Sequence, residues 1–243
     1  MKSADSQALA ERYGLEILPE KISQLTRTVA EQDADLEEIG KLISKDKTVK
    51  ARLLRFANPG VELERDYDIT TVEEALMRTG LAPVILLAML EPLSKAVLNA
   101  FEMFLTPLVP APVERLSPLL DEHVMAAVQF SGKGSGVVQL RLTMQAARVI
   151  ASAALGLPGD ALGDPGEIDD VIGELANIIG GKLESNLCDT GITCKLSAPQ
   201  VSRVNSFQKL KRGVGISERL GFAGNGIAAF VDVSVNPWSQ WEA

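Results

Sequence analysis

The stretch that decides the fold is Ile168-Asp169-Asp170-Val171-Ile172-Gly173-Glu174-Leu175-Ala176-Asn177-Ile178-Ile179-Gly180-Gly181-Lys182-Leu183-Glu184-Ser185-Asn186-Leu187. Ile168, Val171, Ile172, Leu175, Ile178, Ile179, Leu183 and Leu187 recur at three- and four-residue spacing, which predicts a helix with one face in a core. At about 100° per residue, Asp170, Glu174, Asn177 and Gly181 then share the opposite face. A mid-helix Asn forms helix poorly, and each Gly costs about 1 kcal/mol relative to Ala. Such residues around a carboxylate one turn from an amide are expensive for a purely structural helix. Gly180 and Gly181 are expected to clear side chains from beside Asn177, so that another molecule can approach. The alternative is an ordinary solvated face with a glycine-weakened helix end near Gly181. Lys182 departs from the pattern and calls for a bend or a snorkelling stem.

Outward from this helix, strand and helix signals alternate. On its N-terminal side, Val124–Phe130 and Val137–Thr143 flank a Gly-rich turn and read as a hairpin. Ser131-Gly132-Lys133-Gly134-Ser135-Gly136 opens a strand, whereas a phosphate-binding loop must open a helix, so nucleotide binding is not expected. Thr143 should cap a helix that runs through Ala154 and ends at Gly156. On the C-terminal side, 192–196, 214–222 and 227–235 read as strands. The last alternates as a half-buried antiparallel strand after the Gly224-Asn225-Gly226 turn.

The first third of the chain is helical. Pro19 opens one helix with Ile22, Leu25 and Val29 inward, and Asp33 or Asp35 can cap a second. Asp46 can cap a third, which stops at Asn58-Pro59-Gly60. Thr71-Val72-Glu73-Glu74 is a capping box for a fourth, and Thr79-Gly80-Leu81-Ala82-Pro83 precedes a fifth. A further helix is expected over 94–106, followed by an extended segment with Pro107, Pro110 and Pro112. The composition shift near 90–96 places a boundary between domains 1–93 and 94–243. The fold class is therefore α+β, a small all-α bundle followed by an antiparallel sheet packed against long helices.

Composition narrows the chemistry. The 243 residues carry a net charge of −8 that divides evenly between the halves, and 46% are hydrophobic. With no basic patch beyond Lys209-Leu210-Lys211-Arg212, nucleic acid is not the expected partner. The opening residues do not read as a secretory signal, and Leu81–Leu90 is too short to span a bilayer, so a soluble cytoplasmic protein is expected. Two cysteines, Cys188 and Cys194, and one histidine, His123, do not make a zinc or HD-type metal site. Both thiols are expected reduced, and His123 structural or at the surface.

Two resemblances follow from these residues. Leu18-Pro19, Asp33-Ala34-Asp35-Leu36, Ile43-Ser44-Lys45-Asp46, Ala51-Arg52-Leu53-Leu54-Arg55-Phe56-Ala57-Asn58 and Glu74-Ala75-Leu76 before Thr79-Gly80 resemble the opening of an HDOD domain over about residues 15–92. The likeness covers half that family's usual length, and Pro59-Gly60 stands where Ser-Ala is commoner. It implies a non-enzymatic docking or scaffold role. The order helix, hairpin, helix, long helix with Glu-x-x-Asn, then meander resembles the CheX branch of the CheC/CheX/FliY chemotaxis phosphatases over about residues 95–236. Gly173 to Gly181 lie close to that family's signature, with support from Gly136 to Leu142 and Ala146-Ala147-Arg148.

The second resemblance implies a phosphatase acting on the phosphoaspartate of a CheY-like response regulator. Asn177 would orient the attacking water, and Glu174 would pair with the regulator's phosphate-facing Lys. Asp170, Gly173, Gly180 and Gly181 are the expected partner contacts. Mg²⁺ would come from the regulator, with no cofactor held by this chain. CheX forms a homodimer, so self-association is expected, with the Ile227–Val235 strand as an edge that could pair. A non-catalytic adaptor is the alternative, in which both regions are docking surfaces. A structural dimer without small-molecule chemistry is what composition alone supports.

Overall fold

The computed structural model describes residues 36–58, 68–80, 82–116, 122–132, 135–157, 164–189, 193–204 and 216–236. The expected helix after Pro19, the Asp33 or Asp35 cap of the helix that follows it, the 209–212 basic cluster and the chain end after residue 236 lie outside them.

Among the described residues three short helices come first, α1 (Leu36–Ser44), α2 (Lys47–Ala57) and α3 (Val72–Thr79). Their boundaries follow the cap residues. Thr71 Oγ1 accepts from the Glu74 backbone N–H at 3.2 Å, and Gly80 closes α3 at φ 59°. Asn58 ties the end of α2 to the approach to α3. Its Nδ2 donates to the carbonyls of Leu54 and Ile69 at 3.1 and 2.8 Å, and its Oδ1 accepts from the Ile69 N–H at 3.0 Å. The amide therefore joins the end of α2 to Ile69.

Next comes α4 (Ala82–Met103), one unbroken helix of 22 residues. Composition alone puts a boundary near 90–96, between residues 93 and 94. That position falls inside the helix. Pro92 removes one helical N–H, at a cost of about 3 kcal/mol in an isolated helix. Burial of Leu86, Met89, Leu90, Leu93, Ala96, Val97, Ala100 and Phe101 outweighs it. By length and composition α4 could cross a membrane, but 75% of its apolar window is buried within the fold.

The remainder forms a seven-stranded antiparallel sheet with helices on it. The strands are β1 (Val109–Ala111), β2 (His123–Gly132), β3 (Gly136–Thr143), β4 (Cys194–Leu196), β5 (Gln200–Val204), β6 (Ile216–Gly224) and β7 (Ile227–Val235). Their spatial order is β1-β6-β7-β3-β2-β4, with β5 also on the outer side of β2. Two helices lie between β3 and β4 in sequence, α5 (Met144–Leu155) and α6 (Pro165–Asp189). As expected, Thr143 caps α5, its Oγ1 accepting from Ala146 N–H at 3.0 Å, and Gly156 ends it at φ 65°. Asn225 and Gly226 take φ 50° and 76° in the β6–β7 turn, as its Asn-Gly sequence requires.

The β7 strand departs from expectation. It is neither half-buried nor an edge, because it lies between β6 and β3 and is buried on both faces. One face packs Ala229, Val231 and Val233 beside Leu142, Leu140 and Val138 of β3. The other carries Phe230 and Asp232. Asp232 is fully buried between two guanidinium groups. Arg219 bonds both its oxygens, Arg219 Nη2 reaching Oδ2 at 2.7 Å, and Arg141 Nε lies 3.0 Å from Oδ2. Arg219 also stacks on the Phe230 ring, 5.7 Å from its centre. His123 is buried beside this group, its Nε2 3.4 Å from Arg141 Nη1. Burial lowers the Arg141 pKa from its ordinary value, an effect that Asp232 opposes.

The sheet edges among the described strands are β1 on one side and β4 with β5 on the other. Pro110 stands in β1, where a missing N–H discourages pairing with another chain. On the helical face, α6 packs over β2, β4 and β5 while α4 packs beside it over β6 and β7. A single apolar core runs from Ile39 of α1 to Val235 of β7. A salt bridge from Arg55 of α2 to Glu218 of β6, at 2.6 Å, spans the same junction.

Candidate functional site on the long helix

The helix α6 begins where its first residues dictate. Pro165 suits a first-turn position, and Asp164 precedes it, accepting the Gly166 N–H at 2.8 Å. Ile168, Ile172, Leu175, Ile179, Leu183 and Leu187 are all buried, six apolar side chains on one stripe. At about 1.5–3 kcal/mol each, their burial contributes on the order of 10 kcal/mol. That exceeds what four glycines and two asparagines cost the helix, so tertiary packing holds α6 where propensity would not.

Asp170, Glu174, Asn177 and Gly181 are exposed together on the outward stripe. Glu174 and Asn177 are hydrogen-bonded, Asn177 Nδ2 donating to Glu174 Oε2 at 3.4 Å. The amide and the carboxylate thus form a pair one turn apart in solvent. Lys182 is half-buried at the flank, and the helix continues through it to Asp189.

The glycines divide into two kinds, which corrects the sequence reading. Gly173 and Gly180 do not face outward as partner contacts. A Cβ at Gly180 would stand 3.1 Å from Val128 Cγ1 and 3.2 Å from Leu196 Cδ1, and one at Gly173 would stand 3.3 Å from Val201 Cγ2. They lie seven residues apart on one flank of α6, where the helix closes onto β2, β4 and β5. Close packing, not access, therefore accounts for both. Gly181 is different. A Cβ there would meet nothing within 4 Å, so no packing in the described structure requires glycine. It is one turn beyond Asn177, on the outward stripe.

Two features near the pair escaped the sequence reading. One is β5 itself, a short strand of mixed polarity after Pro199. The other is the tether it provides, Arg203 Nη2 to Asp169 Oδ1 at 3.1 Å, which joins the first half of α6 to the sheet edge. Both partners are part-exposed, so the bridge contributes at most about 1 kcal/mol. Without β5 in view, nothing in the sequence marks Arg203 as a neighbour of Asp169.

The comparisons with known proteins agree with the order of elements. Residues 124–213 match the family model described as chemotaxis phosphatase CheX, and residues 15–102 match the HDOD domain model. The HDOD match runs ten residues beyond the end near 92 read from the sequence, and so takes in nearly all of α4. No curated protein matches the chain. Among solved structures, chemotaxis protein CheX from Vibrio vulnificus covers 61% of this chain and 96% of its own at 19% identity, with a TM-score of 0.52. A CheC-like superfamily protein from Shewanella sp. PV-4 covers 61% and 97% at 19% identity, with a TM-score of 0.53. A putative chemotaxis protein from Desulfovibrio vulgaris Hildenborough covers 61% and 96% at 19% identity, with a TM-score of 0.51. Identities this low establish the fold alone. Together with the two matched segments, they describe a chain in which an HDOD-like helical segment is joined to a CheX-like domain.

Proposed function

We propose that this chain binds the phosphorylated receiver domain of a CheY-like response regulator in the cytoplasm and hydrolyses its phosphoaspartate. The observation that carries this reading is the exposed Glu174–Asn177 pair, one turn apart on the outward stripe of α6. An aspartyl phosphate is an acyl phosphate, already activated toward water. Hydrolysis breaks its P–O bond, releases the Asp carboxylate and transfers the phosphoryl group to water as inorganic phosphate. What the reaction lacks in the isolated regulator is a water held in line with phosphorus, and positioning of that kind can remove several kcal/mol from the barrier. The side-chain amide of Asn177 is suited to this, because its carbonyl oxygen can accept a hydrogen bond from the attacking water. The carboxylate of Glu174 is suited to an ammonium group on the partner. Mg²⁺ on the regulator would neutralise the phosphoryl oxygens, so this chain contributes orientation and no metal. Asp170 and the open position at Gly181 lie on the same stripe and would border the docked partner.

Loss of radiolabel from a phosphorylated receiver domain of the same organism tests the reading, with wild type compared with Asn177→Ala and Glu174→Ala. Faster loss with wild type, and a return to the spontaneous rate in the Asn177 variant with binding retained, supports the phosphatase. Binding by wild type without faster loss leaves the adaptor role instead.

Self-association belongs to the same proposal. With β7 interior and β1 carrying Pro110, the β4–β5 edge is the place for two copies to pair. Light scattering of wild type against a Val201→Pro variant tests it, with conversion to monomer expected.

A further inference from the structure

We infer that Glu174 is a positioning residue for Asn177, fixing which end of the amide faces outward, in addition to any contact it makes with a partner. The inference rests on the phosphatase reading for its catalytic meaning, but its geometric content stands on the free chain.

An asparagine amide has two nearly isosteric ends with opposite hydrogen-bonding character, and only the carbonyl end can accept a hydrogen bond from water. An unconstrained side chain on a solvated stripe samples both orientations. Here Asn177 Nδ2 donates to Glu174 Oε2, which turns the NH2 end back along the helix toward the preceding turn. Oδ1 takes no part in that bond, and no other described residue bonds to it. The i, i+3 spacing makes this contact available without distorting α6. A carboxylate is the appropriate partner because it only accepts, so it selects the NH2 end and rejects the carbonyl end. A serine, glutamine or asparagine at 174 could bond either end and would not discriminate.

The second oxygen of Glu174 extends the argument. Oε2 takes the amide, while Oε1 bonds to no described residue and is open to a cation. One carboxylate can therefore hold the amide and meet a partner's ammonium group at once. Docking would draw the Glu174 side chain into a fixed rotamer and with it the amide. Asp170, one turn earlier on the same stripe, has no described bond to the amide and serves as the control.

The test uses the full chain in its free state first. The side-chain NH2 resonances of Asn177, assigned by their loss in Asn177→Ala, are compared in wild type, Glu174→Ala and Asp170→Ala by 15N–1H correlation spectra. A bonded amide shows two NH2 protons well separated in shift, and Glu174→Ala should collapse that separation toward the free-amide value while Asp170→Ala leaves it in place. An unchanged spectrum in Glu174→Ala overturns the inference whatever the chain does to a receiver domain. The second arm is kinetic, with labelled receiver in excess. Glu174→Ala should lower kcat by about tenfold or more as well as raising KM, whereas Asp170→Ala should act on KM alone. A Glu174→Ala variant with raised KM and wild-type kcat also overturns it, because Glu174 would then serve docking only. Absence of turnover by wild type defeats the phosphatase reading but not the amide pairing, which the spectra decide independently.

Discussion

Adjacent glycines on α6 should respond to alanine with opposite signs. At Gly181 a new Cβ meets nothing within 4 Å, so the only folding term is the backbone one, and Gly181→Ala should stabilise the protein by about 0.5–1 kcal/mol. For a chain of this size that raises Tm by roughly 1–4 °C. At Gly180 the same substitution gains the same backbone term, but its Cβ must displace Val128 Cγ1 at 3.1 Å and Leu196 Cδ1 at 3.2 Å. Both belong to β strands beneath the helix, and overpacking of a filled interior costs about 1–3 kcal/mol. The net expectation for Gly180→Ala is a loss of about 1 kcal/mol. Urea unfolding followed by far-UV circular dichroism measures both. If the two variants shift the midpoint in the same direction, the division into a packing glycine and an access glycine is wrong. The dephosphorylation assay then separates stability from use. The more stable Gly181→Ala should clear label more slowly than wild type, because its methyl group intrudes one turn from Asn177. Undiminished turnover in that variant would mean that Gly181 does not border the partner.

Three further outcomes are expected. Asp232→Ala removes the carboxylate between Arg141 and Arg219 and leaves buried guanidinium charge without its counter-ion, so it should destabilise by about 3–5 kcal/mol in denaturant titration, far more than any change at the exposed Asp170. Thr143→Ala should cost about 1 kcal/mol through loss of the α5 cap, and Thr143→Ser should recover most of it. Burial raises the Cys194 thiol from 9.0 to about 11 in the folded chain. The neutral thiol is thus favoured by folding, and its contribution is complete below pH 9 and lost as pH rises toward 11. At pH 8 a thiol reagent should label the exposed Cys188 within minutes and Cys194 only on unfolding, and equal labelling of both in the native state would contradict the buried placement.

What the sequence made legible was chiefly local. The apolar stripe of α6, the Thr143 and Thr71 caps, and the Asn225-Gly226 turn each depend on residues within a few positions of one another, and each formed as read. The exposure of Asp170, Glu174, Asn177 and Gly181 follows from the same periodicity. What escaped depended on neighbours distant in sequence. A helical wheel places Gly173 and Gly180 on the flank of the outward stripe, but only β2, β4 and β5 beneath them show that the flank is covered. The alternation in β7 predicts one wet face, yet Arg219 and Arg141 converge on Asp232 and bury the polar side. Pro92 would stop a short isolated helix. Burial along both halves of α4 exceeds the cost of a single missing hydrogen bond.

That same helix changes how the two regions of the chain relate. A flexible linker would let an HDOD-like module and a CheX-like domain move independently, and a partner held by one would be felt by the other only as raised local concentration. Among the described residues the two regions instead share a helix. The HDOD match ends at residue 102, one residue before α4 does, so the helix that completes the first region is also the one lying against α6 on the sheet. Its core residues are continuous with those of both sides, and the Arg55–Glu218 bridge joins α2 directly to β6. Close-packed interiors transmit displacement because they have few voids to absorb it. A shift of α4 at its N-terminal half must therefore be accommodated by α1–α3, by β6 and β7, or by α6. The third of these carries the Glu174–Asn177 pair, which places the helical segment in mechanical contact with the helix that presents the site.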